Sequence, residues 1–278
     1  NWLAGDTLVT RMDTLVLEVV EQAGQVAKFD LSLNLGEQGD ALVGSLEYAC
    51  ALFDEATVRR YAGYFEQLLQ ALVDDGIAPS AIKTGVLGSA AAVSAVLKVK
   101  SLWPGVPLVV DPVRASGRGD SFGGQALFDS FRNELFPVVD LLTPNWPEAQ
   151  AFTGASTVDE AGARLLQMGC KAVLLKGEHL DSGDVVNRLY AVGKKVVEFP
   201  CERLPGQYHG SGCTLASACA VGLGQGLSVH EAVELALEYT WQALNYGFVV
   251  GKGQLIPDRM HLMQHLGDED EGEFDDDE

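Results

Sequence analysis

A chain of 278 residues, 47% hydrophobic and 21% charged, has the composition of a folded globular protein and the length of one large domain or two small ones, which excludes collagen, mucin and a wholly disordered chain. Acids outnumber bases 39 to 19, a net charge of −20, and nine of the acids fall in the last twelve residues. Such a field repels phosphate backbones and anionic bilayers, and no basic stripe interrupts it, so neither nucleic acid nor a membrane is expected as a partner.

In chain order, Leu31 to Gly44 alternates apolar and polar residues around a Gln38-Gly39-Asp40 turn and predicts a β-hairpin, continued in the same style by Leu46 to Tyr48. Val58, Tyr61, Phe65, Leu68, Leu69 and Leu72 keep helical spacing, with Asp54 as the cap. After Pro79 the pattern changes to short apolar runs, AIKTGVLG, VPLVVDPV, VVDLLTPN and AVLLKGEH, separated by helical stretches or turns. Runs without alternation are what parallel strands covered on both faces require, and ligands gather at the carboxyl ends of such strands. Lys83, Asp111, Asn145 and Lys176 are therefore expected along one rim. A second hairpin is predicted from Asn187 to Pro200, then two long helices over 215–226 and 229–249. The terminal GDEDEGEFDDDE, all repulsion and no apolar surface, reads as a solvated tail.

The five cysteines are odd in number and form no CxxC pair, as in a protein of the reduced cytoplasm. No window approaches the roughly 20 apolar residues of a spanning helix, and Asn1 to Asp6 shows no signal peptide. The chain begins with Asn1 and its first methionine is Met12, which reads as a fragment or a processed product.

The most specific chemical feature is HGSGCTLASACA, residues 209 to 220, two glycines ahead of a small-residue helix. Glycines allow close backbone approach, and the uncapped amides and dipole of a helix start favour an anion. Amides aimed at a transferring phosphoryl group lower the barrier without reorganisation. Cys213 sits where the same dipole favours a thiolate able to accept a hydroxyl proton; a small residue buried in a tight helix start is the equal alternative. Cys219 reads as core, and His209 as a hydrogen-bonded structural histidine. The other histidines lack metal spacing, and no GxSxG supports a hydrolase.

GSGCTLASA, VVDPV, LLTPNWPEA and AVLLKGEHL, in this order, resemble the ribokinase-like vitamin kinases over about residues 77–266. The Gly-Ser-Gly-Cys form is similar to the hydroxymethylpyrimidine and phosphomethylpyrimidine kinases of thiamine biosynthesis, and secondarily to pyridoxal kinases. The resemblance implies ATP and Mg²⁺ as cofactors and a cytoplasmic, small-molecule kinase, with a homodimer as the expected assembly. It implies that the amides of Gly210, Ser211, Gly212 and Cys213 stabilise the phosphoryl, with Thr214 where the chain enters the helix. Lys176 would contact ATP phosphates, and Asp111 would lie near phosphates or metal. Asn145 and Glu148 would organise Mg²⁺ through water, although Asn145 with Glu148 three positions on is equally a helix cap. Val86 and Val113 would flank the pyrimidine ring, and Arg118, in the Arg114 to Gly119 run, is more simply a solvated loop arginine than a phosphate clamp.

Residues 1–75 depart from that family: its opening strand, its serine- and glycine-rich loop and its ring-holding glutamine are missing. VAKFDLSLNLGEQGDALVGSLEYACALFDEATVRRYAGYFEQLLQALVDD instead resembles the carboxyl-terminal end of a nonribosomal peptide synthetase condensation domain, without its HHxxxDG motif. The expectation is an α/β ribokinase-like domain over 76–266, a mostly parallel sheet flanked by helices and lacking the usual N-terminal strands. A foreign α+β segment over 1–75 precedes it, and a disordered acidic tail over 267–278 follows. The rivals to an active pyrimidine kinase are an ATP-binding but catalytically impaired remnant, a pyridoxal kinase, and a peptide-synthetase docking fragment.

Overall fold

The computed structural model describes residues 9–12, 15–18, 31–38, 41–48, positions 54, 56, 57, 59–61, 64, 67, 75 and 76, and residues 78–87, 90–113, 124–177, 184–251 and 253–262. The described chain divides into two compact units, residues 1–79 with 88–104, and residues 80–87 with 105–278.

The first unit carries strands β1 (Val9–Met12), β2 (Leu15–Glu18), β3 (Leu31–Gln38) and β4 (Ala41–Tyr48) in the order β1-β2-β4-β3. The β3–β4 pair is the predicted hairpin, antiparallel from Gln38 opposite Ala41 to Leu31 opposite Tyr48. Helical backbone recurs from 56 to 67, and Asp54 caps it: Oδ1 accepts from the Thr57 amide at 2.7 Å and Oδ2 from its hydroxyl at 3.1 Å. Those bonds hold the exposed Asp54 carboxyl below the usual carboxylate range. Helix α1 (Ala90–Leu102) belongs to the same unit.

The second unit is built on a six-stranded sheet. Strands β5 (Ile82–Thr84), β6 (Leu108–Val110), β7 (Leu141–Leu142) and β8 (Ala172–Leu175) run parallel, and the antiparallel hairpin β9 (Val185–Ala191) with β10 (Val197–Cys201) continues the order β10-β9-β8-β7-β6-β5. All residues of β6, β7 and β8 are buried, which explains their unbroken apolar runs.

Helices cover both faces of this sheet. On β9, Leu189 joins a core of Val109, Leu141, Leu174, Leu215, Cys219 and Val233, which holds helices α5 (Ser211–Gly224) and α6 (Val229–Asn245) against one face. The next residue, Tyr190, points to the opposite face, as a pleated strand dictates. There its hydroxyl donates to Asp159 at 2.7 Å, and its ring fills the space beside Gly162 of α4 (Val158–Gln167), where a Cβ would fall 2.7 Å from it. Burial and the neighbouring Asp159 push the Tyr190 phenol upward. Helix α2 (Gln125–Ser130) runs on through a π turn and a 3-10 turn to Val138, and its Phe128 stacks on Phe152 of α3 (Trp146–Thr153) at 4.4 Å.

The fold agrees with the sequence reading as an α/β structure with a mostly parallel sheet flanked by helices. Three details differ. Helix α5 begins at Ser211, where Thr214 N–H already bonds the Gly210 carbonyl at 2.9 Å, four residues ahead of the expected start. Helix α6 stops at Asn245, and Phe248–Val249 forms strand β11 against β12 (Leu255–Ile256), in keeping with the strand preference of aromatic and β-branched residues. Lys83 stands inside β5, whose last residue is Thr84. The acidic tail and the Arg114 to Gly119 run, with Arg118, lie outside the described residues. Among the described residues no helix is long and apolar enough to cross a membrane.

Candidate active site

Parallel strands bring their carboxyl ends to one rim, and three of the polar residues expected there are found at it. Asp111 follows β6. Asn145 follows β7 after two intervening residues, Thr143 and Pro144, and Lys176 follows β8. An isolated parallel bridge links Asn145 to Lys176, with Lys176 N–H donating to the Pro144 carbonyl at 2.8 Å, so the ladder itself fixes where the lysine stem leaves the sheet.

Asp111 is the hub. Its Oδ1 accepts from Lys176 Nζ at 3.1 Å and from Thr143 Oγ1 at 3.5 Å, and its Oδ2 accepts from the Cys213 thiol at 3.7 Å. The Lys176–Asp111 pair is buried, with side-chain exposures of 4% and 1%. A buried ion pair is a weak source of net stability, since desolvation offsets the attraction. What this pair does is hold an ammonium at a fixed point.

That point is the start of α5. Gly210 takes a left-handed conformation, φ 89°, and the amides of Ser211, Gly212 and Cys213 precede the first intrahelical bond, leaving them pointed outward from the helix. A Cβ on Gly212 would fall 2.9 Å from Lys176 Nζ and 3.7 Å from Asp111 Oδ2. A cation beside the positive end of a helix is unfavourable alone; one carboxylate balances it here, and the remaining positive potential suits an anion. Ser211 and Gly212 are half-buried, Cys213 is exposed, and Thr214 is buried with its hydroxyl donating to the Gly210 carbonyl at 2.8 Å. Cys219, further along α5, lies in the core, and burial pushes its thiol up to about 12.

Asn145 and Glu148 form a reciprocal cap on α3. Asn145 Oδ1 accepts from the Glu148 amide at 2.9 Å, and Glu148 Oε2 accepts from the Asn145 amide at 2.8 Å. The capping reading thus holds, and it fixes two hard oxygen donors beside the Lys176 ladder. Val86 is 52% exposed just beyond β5, and Val113 is half-buried just beyond β6, two residues from Asp111. His209 is exposed and its amide donates to the Leu255 carbonyl at 2.9 Å.

Two contributors carried no sequence assignment. Thr143, inside the LLTPN run, is fully buried against Asp111. Arg259 donates from Nε to Thr214 Oγ1 at 3.1 Å, and a Cβ on Gly210 would fall 2.9 Å from its Nη2. Nothing local in the LIPDRM stretch announces this; hydrogen bonds from α6 bring it there.

A parallel sheet that delivers a buried, carboxylate-anchored lysine to a glycine-lined helix start defines an α/β kinase of small molecules. Comparison with known proteins gives the particular family. The pattern of the phosphomethylpyrimidine kinase family matches residues 58–258, and the chain belongs to that family. It is 40% identical over 190 residues to the hydroxymethylpyrimidine/phosphomethylpyrimidine kinase of Streptomyces coelicolor, covering 66% of this chain and 69% of that one. Among solved structures, the phosphomethylpyrimidine kinase of Clostridium difficile superposes with a TM-score of 0.54 at 31% identity, over 64% of this chain and 74% of that one. The Bacillus subtilis pyridoxal kinase, solved as an ADP complex, shares the fold with a TM-score of 0.63 at 24% identity, over 84% of this chain and 86% of that one.

Proposed function

We propose that this chain transfers the terminal phosphoryl group of ATP to the hydroxymethyl group, or its monophosphate, of 4-amino-5-hydroxymethyl-2-methylpyrimidine in thiamine biosynthesis. The observation that carries the reading is the convergence of Lys176, Asp111 and Cys213 on the glycine-lined start of α5. The relatives' names supply the acceptor.

In this reading the amides of Ser211, Gly212 and Cys213 and the Lys176 ammonium receive the negative charge that spreads over the phosphoryl oxygens. Thr214, through its bond to the Gly210 carbonyl, keeps the turn that aims those amides. Cys213 takes the proton of the attacking hydroxyl while its own S–H proton passes along the existing hydrogen bond to Asp111 Oδ2, so the carboxylate ends protonated and the thiol is restored. Val86 and Val113 offer apolar surface for the faces of the acceptor ring.

Among the described residues no cluster of three or more His, Cys, Asp or Glu side chains could enclose a metal ion. Mg²⁺ needs no such cluster, because it takes one or two protein oxygens, keeps its waters and draws its other ligands from phosphates. Asn145 and Glu148 would hold it through water, and when bound it would neutralise phosphate charge. We read the setting as cytoplasmic and the assembly as a homodimer. Residues 1–75 we read as a condensation-domain-like segment of the chain, 76–266 as its kinase domain, and 267–278 as an acidic tail.

The test is ADP release on adding hydroxymethylpyrimidine, with pyridoxal as the competing acceptor. Turnover with the pyrimidine, lost in Lys176→Ala, supports the proposal; ATP binding without turnover on either acceptor refutes it.

A further inference from the structure

The two glycines of Gly210-Ser211-Gly212 each make room for a cation, and the two cations come from different parts of the chain. Gly212 admits the Lys176 ammonium, and Gly210 admits the Arg259 guanidinium, each with 2.9 Å from the absent Cβ to the nearest side-chain nitrogen. We propose that Arg259 is a second clamp on the phosphoryl group being transferred; this rests on the kinase reading above and adds to it a residue that acts on the terminal phosphoryl.

Arg259 is held for such a task from both ends. At the side chain, Nε donates to Thr214 Oγ1 at 3.1 Å, and that hydroxyl is oriented by donating to the Gly210 carbonyl at 2.8 Å. At the backbone, the Tyr239 hydroxyl of α6 donates to the Arg259 carbonyl at 2.8 Å, and Asp258 N–H donates to the Ala243 carbonyl at 2.7 Å. The fully buried His261 closes the turn, its Nδ1–H donating to the Asp258 carbonyl at 2.8 Å. Anchoring through Nε commits the stem and leaves the terminal fork at Gly210, where both Nη groups donate to no acceptor among the described residues. A guanidinium fork fixed in orientation matches two oxygens of a phosphoryl group, which a lysine point charge does not. With Lys176 on the Gly212 side, the amides of residues 211 to 213 are flanked by two cations, the arrangement that a group with charge on three oxygens requires.

The experiment is calorimetric titration of the full chain with ADP and with a nonhydrolysable triphosphate analogue, in native protein, Arg259→Ala and Arg259→Lys. Arg259→Ala is expected to weaken the triphosphate analogue about 10- to 100-fold, the loss of charge-assisted hydrogen bonds, while ADP stays within about twofold. Arg259→Lys, which retains the charge and the stem, should recover only part of the loss, and in turnover the deficit should appear as a raised KM for ATP together with a lower kcat. Triphosphate affinity unchanged in Arg259→Ala, or ADP and triphosphate weakened alike, overturns the assignment. So does a loss confined to the acceptor monophosphate, which would place the fork on the other substrate. If native protein binds no triphosphate analogue, both this assignment and the kinase reading fall; if Lys176→Ala loses the analogue and Arg259→Ala does not, this assignment alone falls.

Discussion

Gly212 and Lys176 share one small volume: the Cβ that any other residue would add at 212 lies 2.9 Å from the lysine Nζ. Gly212→Ala should therefore displace the ammonium from the helix start while leaving the sheet and core intact. The expected outcome is a kcat/KM lower by about 100-fold, the scale on which a misplacement of about an ångström acts. Thermal unfolding measured on the same sample should stay close to native.

Removing one partner of the buried Lys176–Asp111 pair is a different perturbation. Lys176→Met leaves a carboxylate at 1% side-chain exposure without its ammonium, and should cost about 3–5 kcal/mol in denaturant unfolding. Adding Asp111→Asn should return most of that stability, because no buried charge is then uncompensated, yet turnover should remain absent. Recovery of turnover in the double variant would separate the pair from the chemistry.

The cysteines should sort by burial. Cys213 is exposed, whereas burial pushes the thiols of Cys170 and Cys219 up to about 12. Peptide mapping after alkylation at about pH 8 should find Cys213 modified first among the described cysteines, Cys170 and Cys219 last, and Cys213 protected by a triphosphate analogue. The same burial gives a pH dependence. An ordinary thiol loses its proton near 9.0 and these two near about 12, so the stability they contribute is whole below pH 9 and is lost as pH rises toward 12. Cys219→Ala should flatten that alkaline decline.

Glu148 caps α3, and a conservative change separates that from the Mg²⁺ role proposed for it. Glutamine still serves in a reciprocal cap, so Glu148→Gln should leave unfolding stability within about 0.5 kcal/mol of native. Removing the charge should raise the Mg²⁺ concentration for half-maximal rate about tenfold, the usual effect of a group acting on a metal through water. An unchanged Mg²⁺ response would confine Glu148 to the cap.

Much of this was legible in the sequence because it is written locally. Unalternated runs such as VPLVV and AVLL mark buried parallel strands, and parallelism alone carries Asp111 and Lys176 to the same rim. The Gly-Ser-Gly step announces a helix start open to an anion, though the helix begins nearer to it than small-residue periodicity implied, since Ser211, Gly212 and Cys213 are already helical. The rest depends on tertiary hydrogen bonds. Arg259 reaches Gly210 only because Tyr239 and Ala243 of α6 fix its loop, and no spacing in the chain encodes that. The β11–β12 ribbon escaped for the same reason: Phe248 and Val249 continue a helical apolar pattern until Leu255 and Ile256 supply a partner strand.

Gly210 and Gly212 also constrain the gene. Every missense change at either codon installs a carbon atom beside a cationic head group that must then move, and at Gly210 it also forces a side chain into a left-handed backbone.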